Sequence, residues 1–123
     1  MGSIIQAKCE CGFKSRKIYA GGGFKNFKDV LSAPALCTNC YTFTIENYLT
    51  KSNHCKKCRS KITFYDDKSL WKDKNISTDE EDCIFYWEIN LFDNKAFKLP
   101  DIFYLCPKCR EFKMKFYTCG FWD

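Results

Sequence analysis

Close cysteine pairs are the feature that most constrains this chain. Eight of its ten cysteines lie in four pairs, which in chain order are Cys9–Cys11, Cys37–Cys40, Cys55–Cys58 and Cys106–Cys109. A tight turn that separates two cysteines by two residues aims both sulfurs at one point, and two such turns supply the four ligands of a tetrahedral metal site, with zinc–sulfur bonds of ~2.3 Å. The pairs therefore predict two structural metal sites with no coordination position open to a substrate.

The size of the chain and its cysteine content together favour zinc over disulfides. A chain of 123 residues makes one compact domain or two very small ones, and very small domains need a metal or disulfides for stability. No segment has the pattern of a signal peptide, and no apolar run approaches the ~20 residues that span a bilayer. We therefore expect a cytoplasmic protein without membrane contact. Because its thiols would stay reduced, the cysteines predict two bound zinc ions as cofactors.

The sequence leaves open which pairs share a metal. Sequential pairing joins the first pair to the second and the third to the fourth, and it is favoured because each site then has its own strands. It divides the chain into zinc ribbon one, residues 1–53, and zinc ribbon two, residues 54–123, although one compact unit stays open. The alternative joins the second pair to the third, whose CxxC-x14-CxxC spacing is close to a common compact zinc pattern. The first pair would then bind with the fourth.

Alternation of apolar and polar residues predicts strands around the pairs. The predicted strands are 13–20, 41–49, 61–65, 83–92, 96–99 and 111–117, with a short helical turn over 27–31 and a hairpin turn over 93–95. Residues 66–82 are polar and acidic, which predicts a solvated loop held to the body by Leu70 and Trp71. The predicted fold class is small all-β and metal-stabilised: two zinc ribbons with rubredoxin-like knuckles, the inserted acidic loop 66–82 and an inserted hairpin over 83–99.

Single residues near the pairs carry further expectations. Gly12 follows the first pair and can take the positive φ of a tight metal turn, whereas Tyr41 and Arg110 follow the second and fourth. His54 precedes the third pair, and we interpret it as an exposed histidine, not a ligand. Cys83 falls on the apolar face of its predicted strand, which favours a buried core thiol. Cys119 is spare.

Five short motifs are distributed over most of the chain. They are CxCG at 9–12, GGGFKNF at 21–27, PALCxxC at 34–40, YLCPKC at 104–109 and GFWD at 120–123. Together they resemble a family of uncharacterised bacterial proteins with tandem zinc ribbons. The resemblance implies zinc binding by all four pairs and carries no activity with it. The acidic loop matches no motif of that family.

The charge of the chain gives only a local indication of a partner. The formal net charge is +5, but eight thiolates and two zinc ions would lower it to about +1. Any basic surface must therefore come from clusters, which are Lys14, Arg16 and Lys17 near the first pair and Lys108, Arg110, Lys113 and Lys115 near the fourth. Four aromatic residues interleave with the second cluster, as in proteins that bind single-stranded nucleic acid; they are Phe112, Phe116, Tyr117 and Trp122. The simpler interpretation is a solvated lysine face over core aromatics.

Three classes of function compete. The sequence favours a non-catalytic zinc module that binds protein or nucleic acid, with no small-molecule substrate. The alternative is an iron-binding, rubredoxin-like electron-transfer protein or a thiol-redox protein, because four cysteines also hold iron and CxxC is a redox motif. An enzyme is disfavoured, since the chain has one histidine and lacks a nucleophile elbow. The three glycines at 21–23 lack the Lys-Ser/Thr of a phosphate loop. We predict no catalytic residues.

Overall fold

The computed structural model describes residues 2–21, 31–49, 54–90 and 95–122, and their fold is all-β, which confirms the predicted class. The strands are β1 (Gly2–Cys9), β2 (Ile18–Gly21), β3 (Ser32–Cys37), β4 (Thr42–Asn47), β5 (Thr63–Phe64), β6 (Cys83–Asn90), β7 (Lys95–Pro100), β8 (Tyr104–Leu105) and β9 (Phe112–Trp122). The helical segments in the described ranges are two 3₁₀ turns, Lys68–Leu70 and Glu80–Asp82. Neither is long enough to cross a membrane.

One antiparallel sheet carries both ends of the chain. Its order is β4-β3-β2-β1-β9-β8, with β5 also paired to β3, while β6 and β7 form a separate hairpin. β1 runs beside β9 along its whole length. Strand pairing thus crosses the predicted boundary at residues 53 and 54 twice, once between β1 and β9 and once between β3 and β5.

Aromatic side chains form the centre of the core. The ring of Tyr65 lies 5.8 Å from that of Tyr104 and 5.3 Å from that of Phe116, in each case edge to face. Leu70 and Trp71 are buried, and the indole nitrogen of Trp71 donates a hydrogen bond of 2.7 Å to the carbonyl oxygen of Tyr65. These two residues hold the 66–82 segment to the body, as the sequence predicted.

Five of the nine strands in the described ranges lie where the sequence predicted a strand, one is shorter than predicted and three were not predicted. β4, β5, β6, β7 and β9 lie in predicted stretches, and β9 continues past its predicted end. The predicted strand 13–20 is a strand only from Ile18, because Ser15 turns inward and its hydroxyl accepts a 2.9 Å hydrogen bond from the amide of Ala7. β1, β3 and β8 were not predicted as strands. In β3 the reason is Pro34, which lies within the strand. The helical turn at 27–31, except Leu31, and the first two residues of the 93–95 turn lie outside the described residues.

Candidate metal centres

The structure gathers the paired cysteines into two groups of four. Site 1 consists of Cys9, Cys11, Cys106 and Cys109, and site 2 consists of Cys37, Cys40, Cys55 and Cys58. Within each site the four sulfurs all lie within 4.8 Å of one another. The sequential pairing is therefore wrong, and the alternative pairing is confirmed.

Strand pairing explains this grouping. Cys9 ends β1 and lies opposite Met114 of β9, so the first pair reaches the turn that connects β8 to β9. Cys37 ends β3, whose neighbouring Leu36 lies opposite Thr63 of β5, and β5 follows the third pair. Each site thus forms where the ends of paired strands meet, whatever the distance between them in sequence.

The sulfur distances fit one metal ion in each site. The closest contacts between the two turns are 3.7 and 3.8 Å in site 1 and 3.4 and 3.5 Å in site 2. A tetrahedral zinc ion with bonds of ~2.3 Å sets its sulfurs about 3.8 Å apart. A disulfide has its sulfurs at about 2.05 Å, and all eight cysteines are free thiols. The donor set is the one that zinc and iron prefer in tetrahedral sites.

Backbone hydrogen bonds close three of the four turns on their first cysteine. In the fourth pair, the amide of Cys106 donates to the carbonyl of Glu111 and the amide of Arg110 donates to the carbonyl of Cys106, both at 2.9 Å. The turn of the third pair has the same two bonds, each of 2.8 Å. In the first pair the amide of Gly12 donates to the carbonyl of Cys9 at 3.0 Å. This hydrogen bond joins residues three apart, whereas those of the third and fourth pairs join residues four apart, because only one residue separates Cys9 from Cys11.

Polar groups near the sulfurs favour their ionised form. The amides of Lys57 and Lys108 each donate to the first sulfur of their pair at 3.4 Å. Hydrogen bonds from the side chains of Asn39 and Ser60 lower the pKa of Cys58 to about 5. Sequence reasoning missed Asn39 and Ser60, although both lie inside or close behind a CxxC turn, where such donors belong.

Other thiols of the same sites resist ionisation. Desolvation raises the pKa of Cys9 to about 12 and that of Cys37 to about 11. In contrast, a backbone hydrogen bond from Phe13 lowers the pKa of Cys11 to about 7. Because a metal binds thiolates, the thiols of Cys9 and Cys37 would have to give up their protons to an incoming ion, whereas those of Cys11 and Cys58 ionise more readily.

A residue with positive φ follows the second cysteine of every pair. These residues are Gly12 (102°), Tyr41 (54°), Arg59 (64°) and Arg110 (59°), and the last three are the non-glycine residues of positive φ in the described ranges. A left-handed conformation costs an L-residue ~1–2 kcal/mol. The sequence indicated this geometry only at Gly12. Because three non-glycine residues adopt a positive φ despite this cost, the geometry of the cysteine turn itself requires the left-handed conformation at this position.

The predicted partner-contact residues are at the surface but are not equally available. Lys14, Arg16, Lys17, Lys108 and Arg110 are exposed. Lys113 lies between two carboxylates, 3.3 Å from Glu10 and 3.5 Å from Glu111. Lys115 lies 3.3 Å from Asp101. Their contact with a partner stays a prediction, and ion pairing already offsets part of the charge of the second cluster.

The remaining candidates stand apart from both sites. His54 is exposed and forms an isolated bridge with Lys61, in agreement with its interpretation as a non-ligand. Cys83 is only partly buried at the start of β6, and its sulfur lies 3.7 Å from the carbonyl oxygen of Thr78. It therefore lies at the edge of the core, not within it as predicted. Cys119 is exposed.

Comparisons of the whole chain with protein-family models, with curated proteins and with solved structures find no match. The two tetracysteine sites are therefore the observations on which a function must rest.

Proposed function

We propose that each site holds one zinc ion and that the protein is a tandem zinc-ribbon module, non-catalytic, which binds a macromolecule. The observation that carries the proposal is the pair of closed four-sulfur sites, with sulfur contacts of 3.4–3.8 Å between facing turns. Four sulfurs complete the tetrahedron of a structural zinc site, whereas catalytic zinc keeps a position open for water or substrate.

The positions of the sites in the fold support a structural role. Site 1 joins the end of β1 to the turn before β9, and so holds together the two outermost parts of the chain. Site 2 joins the β3–β4 turn to the segment before β5. Zinc bound at either site stabilises the folded state directly, because the unfolded chain does not present four preformed ligands.

Metal analysis of the purified protein tests this proposal. Protein expressed in medium that contains both zinc and iron should carry two zinc ions per chain and be colourless. Complete thiol modification should consume ten equivalents of reagent, two of them for Cys83 and Cys119, and both ions should be released as the eight paired cysteines react. A red protein with visible sulfur-to-iron absorption would establish the rubredoxin-like alternative. Protein that folds with no bound metal would exclude both.

The thiol-redox alternative makes a different prediction for the same sample. Its cysteines would cycle between thiol and disulfide, so oxidant should convert a CxxC pair without loss of fold. In the zinc protein, oxidation of any of the four pairs removes two ligands, and the ion should leave as the disulfide forms. Zinc release that parallels thiol loss therefore supports the structural role.

A further inference from the structure

Lysine ammonium groups and aromatic rings lie side by side on an exposed surface formed by β1, β9 and two loop segments. The Nζ atoms of Lys72 and Lys115 lie 5.5 and 5.2 Å from the centre of the Phe103 ring. Lys8 of β1 lies opposite Lys115 of β9, and its Nζ atom is 5.6 Å from the centre of the Tyr117 ring. We name these five residues the lysine–aromatic row. Sequence reasoning found Lys115 and Tyr117 only, because the row is assembled from four separate segments.

The rings of the row are exposed although the strand beneath them is part of the core. Phe103 is 41% exposed and Tyr117 46% exposed, while Met114 and Phe116 on the other face of β9 are buried. Lys115 and Tyr117 are two residues apart on β9 and therefore project from the same, outer face. The row is thus a surface feature and not an extension of the core.

Like charges meet within the row. Lys8 lies opposite Lys115 on one side and opposite Lys14 on the other, and like charges directly opposite each other destabilise a sheet. Asp101 offsets part of the charge of Lys115 at 3.3 Å. Among the described residues, no carboxylate forms an ion pair with Lys8 or Lys72. A bound polyanion would neutralise this concentration of positive charge.

Phe103 also borders an open cleft that could seat such a ligand. The cleft has a volume of about 620 Å³, and its lining includes Lys72, Lys74 and Lys115 beside the Phe103 ring. Asp73 and Asp101 line it as well, so the excess of positive charge is small there. The ring itself is therefore as important to any ligand as the ammonium groups around it.

We propose that the lysine–aromatic row binds single-stranded nucleic acid, which rests on the proposed function as a binding module and specifies its partner. Bases that stack on Phe103 and Tyr117 would bring the strand's phosphates to Lys8, Lys72 and Lys115. A duplex keeps its base faces inside the helix and reaches only the lysines. An acidic protein segment would satisfy the charges but gives no reason for exposed rings between them.

Fluorescence anisotropy with labelled oligo(dT) tests the proposal on the full chain loaded with its metal. The probe should bind more tightly than a duplex of equal length or poly-glutamate. Phe103→Leu keeps an apolar side chain, yet should weaken oligo(dT) binding about tenfold, since stacking of one base contributes ~1–3 kcal/mol. The double variant Lys8→Gln/Lys72→Gln should lower the slope of log K against log salt by about 1.4, or ~0.7 for each lost phosphate contact.

Matched variants outside the row are the controls. Phe121→Leu removes a ring that is 81% exposed, and Lys61→Gln removes an exposed lysine on the segment after the third pair. Both should leave binding unchanged. Equal losses of oligo(dT) affinity in the row variants and the control variants, or no binding of oligo(dT) at all, would contradict the proposal that the row binds single-stranded nucleic acid. Poly-glutamate binding that is unaffected by Phe103→Leu would identify an acidic protein partner in its place. Metal content is measured on each sample. A protein with two bound zinc ions that does not bind oligo(dT) would contradict the nucleic-acid proposal but not the proposal that both sites hold zinc.

Discussion

The guanidinium carbon of Arg110 lies 4.2 Å from the centre of the Tyr41 ring and so joins the turn of site 1 to the turn of site 2. Each residue directly follows the last cysteine of its turn, and each has a positive φ, 59° for Arg110 and 54° for Tyr41. A second contact lies nearby, between the rings of Phe13 and Phe43 at 5.7 Å. The two tetracysteine sites are therefore joined by a seam of two contacts, Arg110–Tyr41 and Phe13–Phe43, and we expect the stability of one site to depend on the other.

A double-mutant cycle on the seam should measure this coupling. Arg110→Gln and Tyr41→Leu each remove the cation–π contact, so the double variant should be more stable than the sum of the single effects predicts. The expected coupling free energy is about 0.5–1 kcal/mol, the size of an exposed cation–π pair. Thermal unfolding of the zinc-loaded variants gives the four stabilities. Strictly additive effects would mean that the contact contributes nothing.

The positive φ values predict opposite effects of glycine at two of the turns. Gly12→Ala should destabilise the protein by ~1–2 kcal/mol, because alanine pays the steric cost of a left-handed backbone. Arg59→Gly removes that cost and should stabilise by up to about 1 kcal/mol, after the entropy of glycine in the unfolded chain is subtracted. Chemical denaturation of both variants at fixed zinc concentration tests the pair. A loss of stability in Arg59→Gly would show that the arginine side chain makes a contribution larger than its backbone strain.

Loss of one ligand of site 1 should release both ends of the sheet. Cys106→Ser is expected to lower the zinc content from two ions to one and to melt the pairing of β1 with β9, since site 1 fixes their junction. The binding free energy of a structural zinc, ~10–16 kcal/mol, is as large as the whole net stability of an ordinary domain, ~5–15 kcal/mol. Metal analysis and hydrogen exchange of the β1 and β9 amides provide the two measurements.

Cys119→Ser is the matched control for this change. Cys119 is exposed, lies on β9 itself and belongs to neither site, so the same substitution should alter neither zinc content nor exchange. Protection of β1 and β9 that survives in Cys106→Ser would show that the core, not the metal, holds the chain ends together.

The sequence predicted the eight cysteines of the candidate metal sites and the all-β fold class, but it favoured the wrong grouping of the cysteine pairs. Cysteine spacing is a local property, so the four turns could be found one at a time. Which turns share an ion depends on the register of β1 with β9 and of β3 with β5, and those pairings lie between residues far apart in sequence. β3, which ends at Cys37 of site 2, was not predicted because it contains Pro34, and proline within a segment argues against a strand.

The lysine–aromatic row could not be predicted for the same reason. Lys72 belongs to the 66–82 segment, which its composition identified only as acidic and solvated, and Lys8 belongs to the run before the first pair. Burial of Leu70 and Trp71 brings Lys72 to Phe103, where the amide of Lys72 donates a 3.0 Å hydrogen bond to the carbonyl of Phe103. Surface function here depends on core contacts that a local pattern does not encode.

The hydrogen bond between Tyr48 and Asp66 predicts a dependence of stability on pH that is separate from the metal sites. Burial raises the pKa of Asp66 from 3.8 to about 6, although the 2.6 Å hydrogen bond from the Tyr48 hydroxyl acts in the opposite direction. Because the folded-state pKa is the higher one, the folded state favours the protonated acid. Ionisation of Asp66 should therefore cost about 3 kcal/mol of stability as the pH rises from about 4 to 6, and the loss should then stay constant.

Asp66→Asn isolates this effect from the acid sensitivity of the thiolates. Both proteins lose zinc in acid by the same route, so the difference in unfolding free energy between them reports Asp66 alone. The asparagine variant should gain stability relative to the parent as the pH rises from 5 to 7, and the gain should level off above the Asp66 pKa. In Tyr48→Phe the carboxylate loses its donor, so the pKa of Asp66 should rise further, as NMR titration of the side-chain carboxyl would show. A pKa that stays near 3.8 in the parent would mean that water reaches this carboxylate and that its burial is not the dominant influence.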